Sequence, residues 1–149
     1  MVDVVDRSTR SRMMSGIRGK NTSPELVIRS GLHRRGFRYL LHAKDLPGRP
    51  DLVFPRFNAL VLVHGCFWHR HNCGYFKWPT TRAQFWREKI LGNVRRDRKI
   101  LLAYARDGWR VAIIWECATK NASIEDEILL IDRLQKWLEG KRKRLEITG

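Results

Sequence analysis

The run Ala59-Leu-Val-Leu-Val-His64 constrains this chain more than any other stretch. It is too short for a buried helix and is bounded by turn residues, so it reads as a strand covered on both faces. Upstream, Asp51-Leu-Val-Phe54 and the turn from Pro55 to Asn58 predict its antiparallel hairpin partner. With Phe54 opposite Ala59, Asp51 falls opposite Leu62. Alternation then puts Asp51, Leu62 and His64 on one face at the open end of the hairpin. Downstream, Thr81 to Asp107 predicts a long helix, with Trp86, Ile90, Val94, Asp97, Leu101 and Tyr104 near helical spacing and Gly108 as terminator. Asp97 is the lone polar member of that stripe. Trp109 to Trp115 predicts a further strand. A strand, helix, strand connection is normally a right-handed crossover between parallel strands, so the C-terminal ends of the two strands lie together.

Around this unit, Ser23, Pro24 and Glu25 predict a helix over 24–35 that is capped by Ser23 and closed by Gly36. Phe37 to Leu41 reads as a short strand, and Ser123 caps a last helix with acids in its first turn. Residues 1–22, with Arg7, Arg10, Arg12, Arg18 and Lys20, read as a flexible basic arm, and 141–149 as a basic C-terminal tail. The expectation is one α/β domain over 23–140, with a mixed central β-sheet flanked by helices.

The 30 basic side chains outnumber the 15 acidic ones, and +14 of the net +15 lies in the first hundred residues. Such asymmetry suits a face shaped for phosphates, with a generally solvated charged surface as the alternative. The basic residues of the long helix, Arg82, Arg87, Lys89, Arg95, Arg96 and Arg98, are candidate phosphate contacts together with the arm. Three cysteines cannot all pair within one chain. No secretory leader or membrane-spanning apolar run is evident, so a reducing cytoplasm is expected.

In that setting the cysteines suggest a metal. The parallel crossover brings Cys66, just past one strand, near Cys117, just past the other, and His71 and Cys73 turn inward from one loop. A closed Cys3His set is a structural zinc site, since no position is left for water or substrate. The competing reading makes Cys66 and Cys117 small buried thiols. Between them, Phe67 and Trp68 suit a wedge that unstacks weakly paired bases, or an apolar patch for protein binding.

Arg49-Pro50-Asp51 at the start of a hairpin, with a metal-binding element at the end of its second strand, resembles the layout of the PD-(D/E)xK nucleases, although the usual Glu-x-Lys is missing. More specifically, Pro-Gly-Arg-Pro-Asp51, His64-Gly-Cys-Phe-Trp-His69, Phe85-Trp86-x-Glu-Lys-Ile, Asn93-x-x-Arg-Asp97 and Trp115-Glu-Cys117 resemble the very-short-patch-repair (Vsr) mismatch endonucleases. The resemblance implies a restriction-endonuclease-like fold and magnesium-dependent hydrolysis of one phosphodiester, 5′ to the thymine of a thymine-guanine mismatch in double-stranded DNA. It further implies a companion cytosine-5 DNA methyltransferase, because deaminated 5-methylcytosine is thymine opposite guanine. Asp51 and the backbone carbonyl of Val63 would hold magnesium, two ions shared with the phosphate. His69 would be the general base, oriented by Glu25, and His64 would support the phosphate or a metal-bound water. The likeness adds Trp86 as a third wedge residue.

Each role has a competitor. Glu25 also suits the positive end of its helix, Asp51 a turn, and Trp86 the core stripe. His64 and His69 also suit structural or zinc-binding positions. The rival functions are a double-strand-cutting nuclease, which needs a dimer for which no helix is evident, and a zinc-stabilised DNA-binding module without catalysis. A monomer is expected.

Overall fold

A computed structural model describes residues 22–149, so the basic arm lies almost wholly outside the described residues. The elements run α1 (Ser23–Arg34), β1 (Leu40–Leu41), β2 (Leu52–Phe54), β3 (Ala59–His64), α2 (Ala83–Arg106), β4 (Arg110–Trp115), α3 (Ile124–Glu139) and β5 (Arg144–Ile147). They form a mixed α/β fold around a five-stranded sheet in the order β1-β2-β3-β4-β5.

The hairpin has the expected register, Phe54 opposite Ala59 and Leu52 opposite Val61. Its turn is a single 3-10 turn, Pro55–Phe57, closed by Asn58 in the left-handed region that asparagine tolerates. β3 and β4 are parallel from Ala59 beside Arg110 to His64 beside Trp115, as the crossover rule requires.

Alternation along the strands feeds two apolar layers. Phe54, Val61, Ala112 and Ile114 meet Ile28 and Leu32 of α1 and Ile131, Leu134 and Trp137 of α3. On the opposite face, Leu60, Leu62, Val111 and Ile113 meet Tyr104 of α2, together with Cys66 and Cys117. The Tyr104 hydroxyl donates to the Pro47 carbonyl and so ties the loop before Asp51 to α2.

Several boundaries differ from the sequence expectation. The cap of α1 is Thr22, and it makes no side-chain bond; Ser23 is already helical, because Pro24 suits either of the first two helical positions. Gly36 ends this helix at φ +92°, which only glycine adopts without cost. The strand expected over Phe37 to Leu41 shrinks to two residues, since the Phe37 N–H still donates to Leu32 at the helix end and only Leu40 and Leu41 reach β2. Ser123 caps α3 in a reciprocal capping box with Asp126.

The larger correction is at the C-terminus. The segment read as a basic tail carries β5, parallel to β4 from Val111 beside Arg144 to Ile114 beside Ile147. Ile147 is buried, so an inward apolar position overrides the charged flank.

Candidate active site

The open end of the hairpin gathers three groups of donor atoms beneath the C-terminal ends of β3 and β4. The first is Asp51, Glu25 and His42. Asp51 Oδ2 accepts the Val63 N–H at 2.7 Å. In a strand the N–H and C=O of one residue point to the same side, so the Val63 carbonyl opens toward the same carboxylate. Glu25 is only 1% exposed, and both its oxygens lie 3.0 Å from His42 Nε2 while Arg29 donates to it at 3.0 Å. Burial pushes the Asp51 carboxyl up to about 7 against the lowering pull of the Val63 N–H, and the neighbouring Glu25 carboxylate raises it further. Two crowded carboxylates of this kind, one buried and one half-buried, favour a cation.

The second group is His64, His69 and Asp97. The two imidazoles stack face to face, with centroids 3.9 Å apart and planes within 2°. Asp97 Oδ2 lies 2.6 Å from His69 Nδ1. A carboxylate there fixes the tautomer that leaves Nε2 as the free base. His64 is held near 3 by burial and by the neighbouring His69, so it is neutral; its Nδ1 is buried with no hydrogen-bond partner among the described residues. Asp51, Val63, His64, His69 and Asp97 all line one cleft of about 190 Å³.

The third group is Cys66, His71, Cys73 and Cys117, whose ligand atoms converge as expected. His71 Nδ1 stands 3.5 Å from both Cys66 Sγ and Cys117 Sγ. The edge of a zinc tetrahedron with ordinary Zn–S and Zn–N bonds is about 3.6 Å, so the donors fit. Burial, with neighbouring thiols adding, pushes Cys66 up to about 12, so its thiolate needs a cation beside it. Successive turns fold the loop inward: His71 N–H donates to Cys66 at 2.9 Å and Cys73 N–H to His71 at 2.8 Å.

Between these groups, Phe67, Trp68 and Trp86 meet edge to face or tilted, with centroids 5.1 to 5.8 Å apart, and all three are half-buried. Trp86 therefore leaves the core stripe, whose buried members in α2 are Ile90 and Tyr104. Arg82, Arg87, Lys89, Arg95, Arg96 and Arg98 are all exposed, although Arg82 lies over Phe85 and Arg87 over Trp78.

Comparison with known proteins identifies the family. The family model described as DNA mismatch endonuclease Vsr matches residues 2–75. The DNA mismatch endonuclease Vsr of Escherichia coli (strain K12) is 40% identical over 151 residues, covering 100% of this chain and 97% of that protein. The chain belongs to the Vsr family of DNA mismatch endonucleases. Relatives named as type II nicking enzymes include V.XorIIP of Xanthomonas oryzae pv. oryzae, 46% identical over 78% of this chain and 86% of its own length. V.NmeAIP of Neisseria meningitidis serogroup A is 39% identical over 83% of this chain and 89% of its own length. Among the described residues no helix is long and apolar enough to cross a membrane.

Within this Vsr-family chain the partner of His69 is corrected. Glu25 does not reach it, because Glu25 is turned to Arg29 and His42 beside Asp51, and Asp97 takes the orienting position. The lone polar residue in the α2 stripe was the available signal for Asp97. Asn93, one turn earlier on the same face, donates to the Trp68 carbonyl at 3.1 Å. α2 therefore grips consecutive residues of the loop. His42 carried no sequence signal; it sits at φ +48° in a loop, held by its own N–H to the Asp51 carbonyl.

Proposed function

We propose that this chain hydrolyses one phosphodiester of double-stranded DNA, 5′ to the thymine of a T:G mismatch, and so nicks one strand for very short patch repair. The observation that carries this reading is the Asp97–His69 pair facing Asp51 across one cleft. It joins an oriented imidazole to a carboxylate suited to a hard cation, as phosphodiester hydrolysis needs.

Asp51 and the Val63 carbonyl would hold two magnesium ions, which would supply Lewis-acid charge for the phosphate and the attacking water. Ligation through the main chain tolerates the apolar side chain of Val63. Glu25 keeps a second carboxylate beside Asp51. His69 takes the proton of the attacking water at Nε2, while Asp97 stabilises the imidazolium that results. The water oxygen forms the new P–O bond, one ester P–O bond breaks, and the leaving oxygen takes a proton from solvent to become a hydroxyl. His64, neutral and orphaned at Nδ1, has a free polar atom for the phosphate or its water.

Zinc held by Cys66, His71, Cys73 and Cys117 would be scaffold, bracing the loop whose Phe67 and Trp68, with Trp86, enter the stack at a mismatch. Unstacking costs a few kcal/mol, and less where pairing is already defective, so the wedge favours mispaired sites. Arg82, Arg87, Lys89, Arg95, Arg96 and Arg98, with the arm, would neutralise phosphates. A companion cytosine-5 DNA methyltransferase supplies the 5-methylcytosine whose hydrolytic deamination gives the lesion in this reading, and the chain acts as a monomer in the bacterial cytoplasm.

The test is incubation with magnesium and duplexes carrying either a T:G mismatch or a normal pair. A single nick on the thymine strand of the mismatched duplex alone is expected. Equal cutting of both duplexes, or none, overturns the mismatch reading. Cleavage of both strands indicates a double-strand nuclease, and activity unchanged in Asp51→Ala removes Asp51 from the chemistry.

A further inference from the structure

The C-terminal segment that carries β5 reaches the Cys3His cluster by two routes, one through Trp115 and one directly. Glu146 Oε1 accepts the Trp115 indole N–H at 2.6 Å. The Trp115 ring lies flat on His71, with centroids 4.1 Å apart and planes within 8°. Trp115 is itself 8% exposed, so without Glu146 its N–H would lose its partner inside the protein. Two residues beyond β5, the Gly149 N–H donates to Cys117 Sγ at 3.2 Å. A Cβ at position 149 would stand 2.3 Å from the Cys117 carbonyl oxygen, so only glycine permits this approach. The same segment walls a cleft of about 650 Å³ that reaches Cys73 and Cys117.

We propose that Glu146 and Gly149 are positioning residues for the zinc site: Glu146 fixes the plane of His71 through Trp115, and the Gly149 N–H stabilises the thiolate of Cys117. The proposal rests on the zinc reading above and adds outer partners to it. A Cys3His zinc centre keeps net negative charge on its sulfurs, and a main-chain N–H directed at one of them offsets that charge. A ligand ring held flat against a pinned indole cannot rotate away from the metal. Both contacts come from a C-terminal segment more than 25 residues past the last zinc ligand, so zinc retention depends on the far end of the sheet.

The test compares the full chain with Glu146→Ala, Glu146→Gln and a chain ending at Ile147. Bound zinc is counted first, its release to a colorimetric chelator is then timed, and the absorption spectrum of the cobalt-substituted protein is recorded. Glu146→Ala and the shortened chain should release zinc roughly ten-fold faster, the usual scale for losing an outer partner. Glu146→Gln, which keeps an oxygen acceptor for Trp115, should stay near the full chain. The cobalt thiolate bands should shift in the shortened chain, which a purely structural role would leave in place. Equal release rates in all four proteins overturn the proposal while leaving the zinc reading intact. So does faster release that merely tracks global unfolding in urea. A full chain with no bound zinc overturns the zinc reading, and this proposal with it.

Discussion

Asp97 Oδ2 lies 2.6 Å from His69 Nδ1, joining the middle of α2 to the loop that follows β3. The pairing gives His69 both a fixed tautomer and a partner for its protonated state. Asp97→Asn keeps the shape and removes the charge. Its turnover on mismatched duplex should fall about ten- to a hundred-fold with duplex affinity unchanged, and His69→Ala should lose about 10²- to 10⁴-fold. The double variant should be scarcely worse than His69→Ala, since the two act as a unit; additive losses in single-turnover kinetics would show that they do not.

Asp51 supplies a pH signature. Its carboxyl is raised from 3.8 to about 7, chiefly by burial. The folded state therefore binds this proton more tightly than the unfolded chain does. The stability it lends is complete below pH 3.8 and is lost as pH rises through about 7. Asp51→Asn, which never ionises, should melt progressively higher relative to the natural chain between about pH 4 and 7 in metal-free buffer. A melting difference that stays flat with pH would contradict the burial argument. The same variant should cleave roughly a thousand-fold more slowly.

His64 contributes in the opposite direction. Burial and the adjacent His69 lower it from 6.5 to about 3, so acid is taken up preferentially by the unfolded chain. Stability from this position is present above pH 6.5 and is lost as pH falls toward 3. In His64→Asn the acid limb of the stability profile should flatten, as followed by chemical denaturation at successive pH values.

For the aromatic loop, Phe67→Ala and Trp68→Ala should each weaken binding to mismatched duplex by roughly ten-fold, the scale of one lost stacking contact, with little change for matched duplex. Equal losses on both duplexes in competition binding would make these rings general DNA contacts.

Salt separates phosphate contacts from the rest. Replacing Arg95, Arg96 or Arg98 by Gln should reduce the slope of log affinity against log salt by about one for each residue that meets a phosphate. Arg87 already lies 4.7 Å over the Trp78 ring, so its replacement should also disturb that aromatic contact.

Much of this site is legible in the chain because local rules carry it. The hairpin register follows from Asp51-Leu-Val-Phe54 and Ala59 to His64, and the approach of Cys66 to Cys117 follows from the handedness of one crossover. The partners of Glu25 and His69 are not legible, because they depend on which way side chains turn across three elements. Glu25 looks like a routine first-turn acid until His42, at a left-handed loop position, is seen against it. β5 escapes for another reason: four residues flanked by basic side chains show their strand character only beside β4, over thirty positions earlier.

The parallel pairing of β3 with β4 also dictates an order of events. Cys66, His71 and Cys73 lie within eight residues of one another and can meet a metal as soon as their loop exists, but Cys117 joins only when the long crossover has closed. Non-local parallel pairing is slow, because loop closure precedes the contacts that reward it. Metal capture during refolding should therefore proceed in two phases, a fast partial coordination followed by completion of the tetrahedron when the sheet assembles.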